Sequence, residues 1–475
     1  MGVNSLFSNK KVIHSLICIF IGMLIWFMPP PTGVEAKAWH LFAIFASTIL
    51  GFILQPFPMG TVILISLTTA VFTNVLKLNE ALSGYNSSTV WLVLSAFLFS
   101  KVIIKTGLGI RIAYLLIKYF GKSSLSLGYI IVITDIILSP AMASNTARAG
   151  SIYPIVRSLC DAFDAKPDNE NRSFGSFLML CEFQGNCISS AMFMTAMAGV
   201  PLSLSLAQDA FGVSISWGSW FLAALIPSLI AVLVVPFVIY KLNPPNIKKT
   251  PFAKELAEQG LKQCGSLSLN EKITLFIFLL AILLWSTASL IGFNITAIAM
   301  LAVILSIITG LLNWKQDACT DKDAWDTFIW MGGIIGLAGL LTKFGLIPWF
   351  ASAVSEYLTG FSWPMVLISL AVVYMYSHYA FASGTAHVVA MYIPFLTVSI
   401  SAGVPSMLGV LTFSFVAPIF QGLTHYSMGC APIYYGSGYT SLKTWWVIGF
   451  VVSVINLAIY GLVGPSWWHM LGLWG

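Results

Sequence analysis

Two short polar stretches interrupt a chain that is otherwise apolar. One reads Ala143-Ser144-Asn145-Thr146-Ala147-Arg148, the other Ala382-Ser383-Gly384-Thr385-Ala386-His387. Each is followed by a proline, Pro154 and Pro394. Ser, Asn and Thr are good helix N-caps. A half-helix that starts inside a membrane points free N–H groups and its positive dipole end at whatever lies in front of it. Hydroxyls and the Asn amide add side-chain donors. Gly384, where the first stretch has Asn145, permits close backbone approach but supplies no side-chain donor. Two such tips suit a ligand with two carboxylates. Interhelical hydrogen bonding would account for one polar stretch; recurrence at matched positions favours a ligand site.

Arg148 and His387 stand two residues after each Thr. An ionisable residue inside a span is a functional hypothesis by default. The expected partner of both is the substrate carboxylate, because neither stretch carries an acid. Snorkelling or a structural ion pair for Arg148, and a neutral core imidazole for His387, are the competing readings. His378 and His425 are weaker candidates. Lys101, Lys105 and Lys343 are expected to snorkel, with Asp135 and Glu182 available to pair with such cations. The stretches Gln184–Gly199 and Gln421–Gly436 are rich in small residues. As interrupted spans they would complete the site through Ser190 and Ser427, whereas small-residue helix packing is the alternative.

These residues need a membrane bundle to hold them. Of 475 residues, 58% are hydrophobic and 8% charged, against about 25% charged in a soluble domain. The expected fold is an all-α polytopic membrane protein with about eleven transmembrane helices. The net charge of +6 fits basic cytoplasmic loops and not nucleic acid. Seven scattered cysteines without a CxxC pair predict neither a disulfide framework nor a metal site, and no cofactor is expected. Residues 1–38 hold an extra first span, Ile13 to Met28, expected to be retained because no small-residue cleavage site follows. Residues 39–241 form a first repeat, 242–271 a cytoplasmic linker rich in Lys and Pro, and 272–475 a second repeat. Apolar segments 110–137 and 347–377 can each hold one long helix or two short ones.

Four landmarks recur in the same order across the linker. Trp91 matches Trp330, and Lys105, Gly107 and Leu108 then match Lys343, Gly345 and Leu346. The two polar stretches come next. Gln184-Gly185, Ser190 and Gly199 then match Gln421-Gly422, Ser427 and Gly436. A cytoplasmic N-terminus and linker require an even number of spans between them. One extra span plus five per repeat gives eleven, an outside C-terminus, and two repeats of inverted topology, each with a re-entrant hairpin and an unwound helix. Substrate in such folds sits near the midplane between the repeats.

The motifs Ser144-Asn145-Thr146 and Ser383-Gly384-Thr385 resemble the paired Ser-Asn-Thr signatures of the divalent anion/sodium symporter (DASS) family. The resemblance covers nearly the whole chain. It is strongest to the bacterial 2-oxoglutarate/malate translocator and citrate/succinate exchanger branch. It implies a non-enzymatic secondary transporter of the bacterial inner membrane, a homodimer among membrane lipids, and di- or tricarboxylate carriage by an elevator-type movement. Sodium-coupled members carry Thr-Pro dipeptides in their unwound spans. Here those stretches read Ser189-Ser190-Ala191-Met192 and Tyr426-Ser427-Met428-Gly429. The departure predicts Na⁺-independent, roughly electroneutral dicarboxylate exchange, with Arg148, and His387 when protonated, supplying fixed charge that makes the empty site costly to move. Na⁺-coupled symport is the alternative. An intramembrane hydrolase using Ser383 and His387, four apart on a helix, would need neither a second matching stretch nor the duplication, and no orienting acid lies nearby. A passive channel is separated by saturable counterflow.

Overall fold

Long apolar runs closed by Gly, Pro or Ser must become helices here, because backbone polar groups in lipid have to be satisfied within the segment. The computed structural model describes residues 9–358 and 360–475. The first half runs α1 (Asn9–Phe27), α2 (Ala36–Leu54), α3 (Met59–Phe72), the short α4 (Leu78–Ala81), α5 (Ser88–Thr106), α6 (Leu108–Phe120), α7 (Ser124–Leu138), α8 (Asn145–Ala162), α9 (Arg172–Met192), α10 (Gly199–Phe211) and α11 (Trp217–Leu242). The linker contains α12 (Phe252–Cys264). The second half runs α13 (Leu269–Ile291), α14 (Ile295–Ile308), α15 (Lys322–Lys343), α16 (Leu346–Ser355), α17 (Trp363–Ser377), α18 (Gly384–Ser401), α19 (Ser406–Ile419), α20 (Ala431–Tyr435), α21 (Leu442–Ala458) and α22 (Gly464–Met470).

Among the described residues nine helices are long and apolar enough to cross a membrane. They become ten if Leu346–Leu358 and Trp363–Ala380, bent by 115°, count as one broken span. Met59–Phe72, Ile295–Ile308 and Ser406–Gly422 are shorter apolar helices. Both ambiguous segments resolve into two helices, α6 with α7 and α16 with α17. The linker is not loop alone. Arg111 on α6 grips its end, donating to both Glu271 oxygens and to the carbonyls of Cys264, Gly265 and Ser266. Thr250 donates to the Gly121 carbonyl at 3.0 Å.

The repeated landmarks have local physical causes. Gly107 and Gly345 adopt φ of 74° and 84°, a left-handed conformation that ends one helix and starts the next. A 15-residue helix, a three-residue 3₁₀ turn and an 18-residue helix capped by a serine occur in both halves, as α7 to α8 and as α17 to α18. Lys101 and Lys105 do not snorkel freely. Lys105 Nζ lies 2.7 Å from Asp317, and Lys101 reaches the Asp317 carbonyl at 2.8 Å and Asp321 at 3.7 Å. The Lys105 ammonium holds the Asp317 carboxyl below its ordinary range.

At the centre stands α9, where every residue from Phe174 to Met192 is buried. Buried Glu182, Gln184, Asn186, Ser189 and Ser190 on one helix are costly unless partnered. The chain brings those partners from α7, α8 and the second half. Elsewhere the packing admits no side chain. A Cβ on Gly84, in the turn after α4, would meet the Gly332 carbonyl oxygen at 2.0 Å, whereas Gly339 has open space. Gly84→Ala is therefore expected to cost about 1–3 kcal/mol as overpacking, read as a lower Tm of the purified protein. Gly339→Ala should leave Tm in place.

Candidate functional site

Both polar stretches open helices as their residue types require. Ser144 is extended (φ −108°, ψ 114°), and its hydroxyl accepts the Ala147 N–H at 3.2 Å. Ser383 is extended (φ −147°, ψ 123°) and accepts the Ala386 N–H at 3.3 Å. The first N–H groups of each helix, on Asn145 and Thr146 and on Gly384 and Thr385, have no partner within their own helix. Thr146 is exposed; Ser144, Asn145, Ser383 and Thr385 are half-buried.

Both tips touch the interrupted span of the second half. Gln421 and Gly422 end a 3₁₀ turn after α19, and the chain is irregular until α20. At one end of the break, Asn145 Nδ2 lies 3.4 Å from Met428 Sδ, and a Cβ on Gly429 would sit 2.5 Å from Thr146 Oγ1. At the other, a Cβ on Gly384 would sit 2.6 Å from Gln421 Cδ. The missing Asn side chain of the second stretch is thereby explained: the Gln421 amide occupies its space. In the first half the break falls later than expected, at residues 193–198, and Gln184 to Ser190 stay helical. Ser189 and Ser190 donate to the Asn186 carbonyl at 3.0 and 2.6 Å, which keeps that turn wound.

Arg148 is not open to a ligand. It is fully buried, and its Nε donates to both Asp135 oxygens at 3.1 and 3.2 Å. Nη1 donates to the carbonyls of Met142 and Ala196; Nη2 donates to Ser190 Oγ at 2.6 Å and lies 3.5 Å from the Asn186 carbonyl. The expected substrate carboxylate is replaced by an acid from α7, one that sequence reasoning had offered to the lysines. Asp135 also accepts from Asn186 Nδ2 at 3.1 Å and from Ser189 Oγ. Ser190 thus belongs to this buried network and not to an open surface.

His387 is buried as well. Its Nε2 lies 3.0 Å from Ser377 Oγ and its Nδ1 3.1 Å from His378 Nδ1, while Phe381, Phe420 and Tyr374 pack around the ring. His378 Nε2 lies 3.1 Å from the Ser427 carbonyl oxygen. Ser427 Oγ donates to the carbonyls of Gln421 and Thr424, so its hydroxyl braces the break from inside. His425 accepts from Trp446 Nε1 at 3.1 Å. Sequence reasoning placed the stretch Gln421–Gly436 at the site but singled out only Ser427 in it; Gln421, Met428 and Gly429 are the residues that meet the tips.

Two approaches reach this centre. Exposed Thr146, Gly150 and Pro154 form a stripe at four-residue spacing along α8, beside exposed Gly429, Pro432 and Gly436. The stripe runs toward the linker, where Asn246 donates to Asn171 Oδ1 at 2.6 Å. At the opposite end, a cavity of about 740 Å³, lined by polar Ser83, Ser88, Gln208, Asp209 and Lys343 and by apolar Leu92, Leu204 and Ile335 among others, extends to Met194 in the first break. No group of three or more metal-ligating His, Cys, Asp or Glu side chains occurs among the described residues.

Residues 9–474 match the family model described as "Sodium:sulfate symporter transmembrane region". The chain is 43% identical over 469 residues to "Putative malate transporter YflS" of Bacillus subtilis, covering 98% of each. It is 43% identical over 463 residues to "Dicarboxylate transporter 1, chloroplastic" of Spinacia oleracea, covering 97% of this chain and 81% of that one. With "Inner membrane protein YbhI" of Escherichia coli it shares 38% over 478 residues, covering 98% and 99%. Among solved structures it resembles MtrF of Neisseria gonorrhoeae (TM-score 0.57, 12% identity, 97% and 94% covered) and YdaH of Alcanivorax borkumensis (TM-score 0.56, 12% identity, 98% of each). At that identity the likeness is one of fold.

Two outcomes test the geometry. Arg148→Ala leaves Asp135 buried without its cation, a loss of about 3–5 kcal/mol. Tm should fall, and adding Asp135→Asn should recover part of the drop. Gly384→Asn should reduce transport at least tenfold by displacing Gln421, and Gln421→Ala in the same chain should restore a share of it.

Proposed function

The chain belongs to the sodium:sulfate symporter family, a multi-pass membrane transporter and not an enzyme, and from that premise we propose that it exchanges dicarboxylates without sodium. The proposed cargo is a dianion of the class of 2-oxoglutarate, malate, succinate and fumarate. The names of the malate and dicarboxylate relatives support that class. One carboxylate meets the donors of Ser144, Asn145 and Thr146, the other those of Ser383, Gly384 and Thr385. Arg148, His387, Ser190 and Ser427 hold the tips and breaks in place from behind and do not touch cargo.

The observation that carries sodium independence is what surrounds the Arg148 guanidinium. Carbonyls of Met142, Asn186 and Ala196, two serine hydroxyls and the Asp135 carboxylate converge on it. Carbonyls at an unwound helix are what sodium-coupled carriers use to coordinate Na⁺. Here a tethered cation fills the equivalent space and cannot leave, so no ion gradient couples to it. In the second half, His378 faces the Ser427 carbonyl in the matching place.

The reason for exchange differs from the one the charges alone suggested. Asp135 cancels the charge of Arg148, so the empty site is not strongly positive. It still presents two helix starts with unpaired N–H groups. Carrying these across without carboxylates costs free energy for each group left unsatisfied. Loaded crossings are therefore fast in both directions and empty ones slow. An elevator-type movement of the α8/α18 tips between the stripe on the linker side and the opposite cavity fits this scheme. The N-terminus and linker are assigned to the cytoplasm and the C-terminus to the outside. The homodimer rests on the family resemblance.

Uptake of labelled succinate into proteoliposomes tests the reading. Vesicles preloaded with malate should take up label at the same rate with or without Na⁺, and empty vesicles should take up at least tenfold less. Strong uptake into empty vesicles on a Na⁺ gradient would return the chain to symport.

A further inference from the structure

Glu182 is the one acid of the central network that the dicarboxylate reading leaves unused. It sits on α9 and is fully buried. Its Oε1 accepts the Tyr434 hydroxyl at 3.2 Å, and its Oε2 has no hydrogen-bond partner. Arg148 cannot serve it: Nε is committed to Asp135, Nη1 to two carbonyls, and Nη2 to Asn186, Ser189 and Ser190. The buried network therefore holds two carboxyl groups and one cation.

The other groups facing Glu182 do not supply a second cation. On α7 the neighbour is Asp135, on α8 Arg148; on α9 itself it is Cys181, and from the second half come Cys430 and Tyr434. Farther along α8, Arg157 pairs with Asp161 at the surface, 3.3 Å apart. α11 and α21, which also pack on α9, carry Lys241 and Lys443 at exposed ends. α19 contributes no charged side chain.

A buried carboxylate without a cation or enough donors is far more costly than a buried carboxylic acid. A dianion arriving at the tips makes the charged form worse still. The route by which a proton could come and go is the Tyr434 side. Its ring meets the half-buried Tyr153 edge-on at 6.1 Å, and Tyr153 borders the exposed Thr146–Gly150–Pro154 stripe of α8.

We propose that Glu182 is a proton-binding site, and that the carrier takes up a proton with each dianion and returns it when the dianion leaves. The proton comes from water in the stripe beside α8 and goes back to water. On uptake one O–H bond of hydronium breaks as the Glu182 O–H bond forms, and on release the same exchange runs in reverse. Cargo and proton then favour each other's binding by the same factor. In one-for-one exchange the proton movements cancel, so the linkage appears in binding and not in net charge moved. The inference rests on the dicarboxylate reading.

The test uses the purified full chain in detergent, with succinate as probe, at pH values where succinate is fully ionised. In weakly buffered solution containing a pH dye, wild type should remove protons from solution as succinate binds. Its affinity should fall as pH rises, approaching about tenfold per pH unit, the limit for one linked proton. Glu182→Gln, which keeps the shape of the neutral acid, should bind succinate with no proton uptake and a flat pH profile. Tyr434→Phe, which leaves the acid in place, should keep the uptake. Succinate binding by wild type without proton uptake overturns the proposal, whatever the variants do. A pH profile in Glu182→Gln as steep as that of wild type overturns it as well. Failure to bind any of the four dicarboxylates overturns the transport reading and this one with it.

Discussion

A guanidinium buried in a membrane protein is tolerable only when its donors all find oxygen. Arg148 meets that condition with atoms from separate stretches: Asp135 on α7, Met142 in the turn before α8, Asn186 and Ser190 on α9, and Ala196 in the break after it. None of these oxygens could be moved without stranding part of the cation. The ion pair thus fixes where α8 begins, how it meets α9, and where α9 stops. The position of the first donor tip follows from it, because Asn145 and Thr146 lie within one turn of Arg148. Replacing the pair by apolar side chains could leave stability intact, but it would release the register of three elements that converge on the tip.

The second half reaches the same result by different chemistry. Tyr374 stands where Asp135 stands in the first half, and His387 where Arg148 does; their rings lie 4.8 Å apart, and His378 and Phe420 complete the packing. Aromatic packing and a chain of imidazole contacts replace an ion pair. The two tips are therefore equivalent in backbone but not in electrostatics. The break in the second half also begins at Gln421, while the matching Gln184 remains helical and donates to the Gly422 carbonyl at 2.8 Å. Gln421 in turn donates across the halves to Met197 Sδ at 2.8 Å. These cross-contacts tie the halves together beside the break that both tips touch.

Much of this was legible from residue types. Serine caps, glycines and long apolar runs act through local physics, so the two helix starts and the paired landmarks are legible in the sequence alone. Arg148 and His387 were singled out as the ionisable residues of the two stretches; Arg148 pairs with Asp135, and His387 sits among His378 and aromatic rings. Asp135 lies in an otherwise apolar helix, and nothing in its spacing marks it as facing Arg148; a search for acids confined to the polar stretch could not find it. The first break falls later than expected for a related reason, while the second contains Tyr426–Gly429 as expected. Small residues permit unwinding, but whether it happens depends on where the freed carbonyls find donors. Ser189 and Ser190 keep one segment wound by donating back to Asn186, while Ser427 braces an unwound one.

The roles of the charges follow from counting them together and not one by one. Taken alone, Arg148 makes an empty carrier positive and explains exchange by charge. With Asp135 it becomes neutral, and in the proposed exchange the slow empty crossing is assigned to unpaired helix starts. With Glu182 the network has one acid more than it can neutralise, and an anion is the cargo. Two negative groups in one dry region are mutually unfavourable unless one carries a proton. The same low dielectric that makes the Arg148 pair rigid therefore makes Glu182 responsive. A framework that must hold one charge permanently is the environment in which a neighbouring charge becomes conditional on the ligand.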